Sequence, residues 1–201
     1  MRRLALIAAL AALLAAPAAR ADGDPASDYL ISQKVFFPYD LKVSPAVQQQ
    51  IAGLVEEANR AGFKIRVAMI WSSYDLGAIT GLWRKPQTYA RFLGAELRYL
   101  YHERLLIVMP NGFGFNRPGH PAAKEDATLS KIAIQPGPTG FADATRTAVQ
   151  RLAAASGVKL TGATIAKGSS QNHDRLIIVL GAIAALLAAI ALRLVLRRRG
   201  Q

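Results

Sequence analysis

The sequence predicts an α/β protein: a small αβα sandwich with a mostly parallel sheet, followed by one C-terminal transmembrane helix. Apolar runs with the length of buried strands alternate with amphipathic helical runs between residues 28 and 155. Two further apolar stretches stand at the ends of the chain, each flanked by arginines. There is no cysteine, so packing alone must stabilise the domain.

Asp28 to Phe37 reads as a first extended segment, with Tyr29, Ile31 and Val35 to Phe37 as β-formers before Pro38. Ser44-Pro45 opens a helix with an N-cap hydroxyl and a proline at the first helical position. Val47, Ile51, Leu54, Val55 and Ala58 lie along one face of it, and Gly62 ends it. Phe63 to Trp71 alternates and then turns wholly apolar, the pattern of a strand entering a buried sheet. A second helix starts at Pro86, its stripe made by Tyr89, Phe92, Leu93, Leu97 and Leu100. Leu105 to Met109 is the third strand. Pro110 to Gly119 has the composition of a mobile loop, Ser130 to Gln135 that of another strand, and Phe141 to Ala155 that of a third helix. The first three strands are expected to be parallel.

The ends of the chain predict its placement. Arg2 and Arg3, the apolar run Leu4 to Ala19 and Ala19-Arg20-Ala21 match a signal peptide over residues 1–21, with a mature start near Asp22. Leu176 to Leu196 spans roughly 30 Å as a helix, enough to cross a bilayer once. Arg193 can snorkel toward the cluster Arg197, Arg198 and Arg199, which would hold the 197–201 tail in the cytoplasm. Residues 22–156 then form an extracytoplasmic domain, and 157–175, rich in small and polar residues, a tether. The expected location is the cell membrane, single-pass, with the lipid bilayer contacted through residues 176–196.

The net charge of +12 loses its apparent meaning once divided along the chain. Seven arginines belong to the end segments, and residues 22–175 carry 18 Lys and Arg against 13 acids, interspersed rather than clustered. Nucleic acid is therefore not expected as a partner.

In parallel sheets, ligands bind at the carboxyl ends of the strands. Those ends are Ser72-Ser73-Tyr74-Asp75 and the Asn111 to Asn116 segment. Asp75, Asn111 and Asn116, with Asp40 after the first strand, could supply oxygens to Ca2+ or another divalent cation. Alternatively, Asp75 caps a turn and Asn111-Gly112 makes one. Phe113 and Phe115 alternate with glycine, as a recognition surface or as a flap folded onto the core. Trp83 and Arg84 precede a helix, either as an anion contact or as a core cap beside a solvated charge. Together with Tyr74 they form the candidate binding surface. His102, His120 and His173 lack metal-pair spacing, and no nucleophile elbow, phosphate loop or dinucleotide fingerprint is present. No catalytic residue is assigned, and an enzyme is the less favoured class.

The helix from Pro45, the strand Lys64-Ile65-Arg66-Val67-Ala68-Met69-Ile70, the helix from Pro86, the strand Arg104 to Met109 and the segment Ile132 to Gln135 leading to a helix at Phe141 resemble the TPM domain family over residues 28–156. The resemblance implies an αβα domain tethered outside the membrane by a single helix, with photosystem repair, acid phosphatase activity or divalent-metal binding among family functions. The family's early acidic turn corresponds here to Asp40, and its late acidic segment to Pro136-Gly137-Pro138, with no carboxylate before Asp143. Two classes follow. One is a non-catalytic interaction or accessory module for an envelope complex, with an envelope or membrane protein as partner. The other is a weak metal-dependent phosphatase using Asp40, Asp75 and the asparagines, with Arg84 on the phosphate.

Overall fold

A computed structural model of the protein describes residues 23–162. The expected signal peptide, transmembrane helix and tail, and the tether beyond residue 162, lie outside the described residues.

The domain is built on a four-stranded sheet in the order β1 (Val35–Phe36), β2 (Ile65–Met69), β3 (Arg104–Met109) and β4 (Gly112–Asn116). β1, β2 and β3 are parallel, with Val67 opposite both Val35 and Leu106, and β4 is antiparallel to β3. Alternation sorts the side chains onto two faces. Val67, Met69, Leu106, Val108 and Phe115 pack beneath α2 (Pro45–Arg60), α4 (Ala123–Leu129) and α5 (Gly137–Ala155). Ala68, Ile70, Leu105, Ile107 and Met109 pack against α1 (Pro25–Ser32) and α3 (Pro86–Glu96). Helices thus cover both faces, as the αβα reading expects. Since the parallel strands are adjacent in chain order while α2 and α3 lie on opposite faces, the two crossovers have opposite hands. One of them therefore runs against the usual right-handed preference.

α2 follows its sequence signals. The Ser44 Oγ accepts the Val47 N–H at 3.4 Å, and Ile51, Leu54, Val55 and Ala58 are buried. Gly62 leaves the helix at φ +88°, a conformation that disfavours any residue with a Cβ.

Three expectations are corrected. First, Asp28 to Ser32 is helical, because Asp24 caps α1 by accepting the Ala26 N–H at 3.1 Å and Pro25 presets the first turn. Ala26 and Leu30 point inward at helical spacing, whereas the β-formers Tyr29 and Ile31 remain on the surface. Second, Pro110 to Gly119 is not a loop: Gly112 to Asn116 is a strand turned back on β3. Phe113 and Phe115 enter the first core, and Gly114 faces α3 so closely that a Cβ there would collide with the Pro86 carbonyl. Third, Ser130 to Gln135 pairs with no strand. Ile132 and Ile134 pack on the first core, but the sheet position beside β3 is already taken by β4.

The outer edge of β4 is itself occupied. The Gln87 side chain donates to the Phe115 carbonyl and accepts the Phe115 N–H, both at 2.9 Å. Beyond α5 the chain stays attached through residue 162. Val158 and Leu160 pack on the core, and Thr161 donates from its N–H and hydroxyl to Glu57 at 2.8 and 2.7 Å. The start of the expected tether is therefore part of the domain.

Gly114→Ala should destabilise the protein by about 1–3 kcal/mol, because the new methyl meets backbone rather than a movable side chain. Gly81→Ala, where a Cβ meets nothing within 4 Å, should stay within about 0.5 kcal/mol. Urea denaturation of the two variants checks the contrast.

Candidate functional site

The carboxyl ends of the parallel strands form a rim where β2 runs into a 3-10 segment, Ser73–Leu82. Asp75 lies at its start and is 1% exposed. Its Oδ2 accepts the Trp71 and Ser72 N–H groups at 2.9 and 2.8 Å, and the backbone N–H of Tyr39 lies near enough to the carboxylate to favour its charged form. Burial raises its pKa, and these donors pull it part of the way back. The carboxylate thus holds the turn after β2, with the segment after β1 beside it, and its Oδ2 is engaged by backbone.

The other expected oxygen donors are dispersed. Asp40 is exposed. Asn111 sits in the β3–β4 turn, where its Nδ2 donates to the Arg84 carbonyl at 2.8 Å. Asn116 pairs with Leu105 at the opposite end of the strand, its side chain lying over Gly94 of α3. The path of β4 from Gly112 to Asn116 alone puts four extended steps between the two asparagines, more than 10 Å at about 3.4 Å each. Among the described residues no group of three or more His, Asp or Glu could hold a metal ion.

The proposed binding surface divides in the same way. Phe115 is buried and Phe113 half-buried in the first core, so the glycine-aromatic alternation is a packing device. Trp83 packs on the second core. Arg84 is exposed and has φ +60°, the one positive φ outside glycine among the described residues. Tyr74 is 83% exposed, and Tyr39, which the sequence reading did not single out, is 80% exposed. Both belong to the same rim, because Asp75 follows Tyr74 directly and lies near the backbone N–H of Tyr39. An edge-to-face series through the buried Phe36, with Tyr29 at 5.8 Å and Tyr39 at 6.2 Å, anchors the two tyrosines beside an open groove lined by Pro25, Tyr29, Gln33 and Tyr39. The signal for Tyr39 was present in Tyr39-Asp40, a tyrosine in a short polar turn.

A second buried carboxylate was also missed. Asp24 is 4% exposed and accepts the Tyr89 hydroxyl at 2.7 and 2.9 Å. Desolvation outweighs these hydrogen bonds and raises its pKa to about 6, and the same burial beside Asp24 raises that of Tyr89. Nothing in the local sequence pairs residues 65 positions apart. A scan against protein-family models and searches of curated proteins and of solved structures find no match to this chain.

Asp75→Ala should cost at least about 2 kcal/mol, since it strands several backbone donors, whereas Asp40→Ala should be nearly neutral. The urea midpoints measure both. Because the folded pKa of Asp24 lies above its ordinary value of 3.8, its contribution to stability is complete below that value and is lost as pH rises through about 6. The wild type should lose about 3 kcal/mol relative to Asp24→Asn between pH 3.5 and 7. Parallel stability curves for the two proteins would contradict this assignment.

Proposed function

We propose that the protein is a non-catalytic interaction module, held outside the membrane by the segment 176–196 and serving as an accessory to an envelope complex. The observation that carries this reading is the rim itself. Where an α/β enzyme would present reactive groups, this chain turns its carboxylate inward as a backbone knot and presents Tyr39 and Tyr74 to solvent. Tyrosine supplies large contact area at low entropic cost, with a hydroxyl for the polar margin of an interface. The partner is accordingly a protein surface able to receive two aromatic side chains.

The apolar length of Leu176 to Leu196 and the arginines behind it support the anchor and its orientation. Among the described residues no helix is long and apolar enough to cross a membrane. The helices on both sheet faces agree with a TPM-like architecture, which we retain as a proposed kinship. The phosphatase alternative has less to stand on, because Asp75 is committed to backbone donors and Asn116 lies at the far end of β4.

The test is proximity labelling from the outer side of intact cells, followed by pull-down of the full chain. Tyr39→Ala combined with Tyr74→Ala should abolish recovery of the principal partner while leaving the unfolding midpoint within about 0.5 kcal/mol of wild type. An unchanged set of partners would overturn the rim as the binding surface. Protease added to intact cells or spheroplasts should digest the domain; a protected domain would overturn the orientation.

A further inference from the structure

The opposite end of the sheet carries three arginines, Arg104 and Arg117 on one face and Arg66 on the other. Arg66 and Arg104 stand near the amino ends of β2 and β3, and Arg117 directly follows β4, where continuation of the Leu105–Asn116 register sets it across from Arg104. Arg66 lies over the Tyr101 ring at 4.1 Å and Arg104 over Phe63 at 4.5 Å. Among the described residues, the buried side-chain nitrogens without a hydrogen-bond partner are Arg66 Nη1, Arg104 Nε and Arg117 Nε. All three lie at this end of the sheet, those of Arg104 and Arg117 on the same face. A guanidinium stays charged in a protein, so buried donors lacking an acceptor are unfavourable unless an anion compensates them.

The internal compensation is weak. One carboxylate, Glu103, serves both cross-strand arginines, at 3.6 Å from Arg104 and 3.9 Å from Arg117. Both distances exceed those of a charge-assisted hydrogen bond, and the Glu103 side chain is 40% exposed. Arg104 feels Arg117 as a like charge, and burial disfavours the charged form of Arg104 and of Arg66. Glu125 adds a more distant negative charge near Arg104. Each guanidinium brings one Nη atom near this loosely held carboxylate, at 3.6 and 3.9 Å, which leaves most of two planar donor forks, the groups suited to a tetrahedral or planar oxyanion, without an anionic partner.

We propose that Arg104 and Arg117 form an oxyanion site for a phosphate group, with Glu103 as a displaceable internal occupant that swings to solvent when the ligand binds. Arg66 adds positive potential from the other face of the sheet. The ligand is a phosphomonoester, a phosphodiester or inorganic phosphate, and its source is either a soluble compound or a phospholipid headgroup. The site is separate from the tyrosine rim and does not depend on the rim's binding a partner.

The test uses the full chain in neutral detergent, with thermal unfolding followed in inorganic phosphate and in chloride at equal ionic strength. A parallel series uses mixed micelles of short-chain phosphatidylglycerol or phosphatidylcholine. A rise in midpoint with phosphate indicates a soluble ligand, and a rise with phosphatidylglycerol but not phosphatidylcholine indicates a headgroup; either supports the site. Glu103→Gln should bind the effective anion several-fold tighter, because it removes the competing charge. Arg117→Gln should bind about tenfold weaker, and Arg117→Lys, which keeps the charge but not the fork, should also weaken it. No shift with either anion, or a shift unaltered in Arg117→Lys and Glu103→Gln, would overturn the proposal.

Discussion

The buried carboxylate of Asp75 is the constraint on which the upper half of the domain depends. Its Oδ2 holds Trp71 and Ser72, which lead from β2 into the turn, and the Tyr39 N–H of the segment leaving β1 lies beside the carboxylate. β1 is only two residues long and cannot fix the position of its own exit by strand pairing. A charged acceptor between neutral backbone donors does so instead, with bonds stronger than neutral ones. The arrangement resembles the way an N-cap satisfies a helix start, extended to a second stretch of chain.

The helices with clear caps and the two central strands were legible in the sequence, because each carries its own local instruction. Ser44-Pro45 and the Ile51, Leu54, Val55, Ala58 stripe specify α2 without help from elsewhere. Residues 28–32 misled because their β-formers occupy the solvent side of a helix whose start is set by Asp24, outside the segment that was read as extended. Gly112 to Asn116 misled for the opposite reason. Its glycines locally suggest a loop, but Gly114 is required by the close approach of α3, a tertiary fact that no window of sequence contains. Ser130 to Gln135 has the alternation of a strand, but the place beside β3 is filled by β4 and its isoleucines pack on the first core instead.

The candidate site was legible in location more than in content. The carboxyl ends of the strands do gather Asp40, Tyr74 and Asp75, as the parallel-sheet rule anticipates. Whether a carboxylate points to solvent or to backbone depends on which N–H groups surround it, and for Asp75 one of these, the Tyr39 N–H, belongs to the segment after the neighbouring strand. The two ends of the sheet consequently differ in character. The carboxyl end shows tyrosine hydroxyls and rings, while the amino end concentrates guanidinium groups. Neither difference is visible in a net charge, because acids and bases alternate along the chain.

The paired hydrogen bonds from Gln87 to Phe115 govern how this domain can meet other proteins. A side-chain amide offers one donor and one acceptor in the spacing of a peptide group, so Gln87 stands where the next strand would have to begin. An incoming extended peptide would find its first main-chain partners already engaged at that position. Growth of the sheet into a fibre or a strand-swapped pair is discouraged on this flank by a single neutral residue. Selectivity is left to the shape and chemistry of side chains rather than to the generic adhesiveness of open backbone.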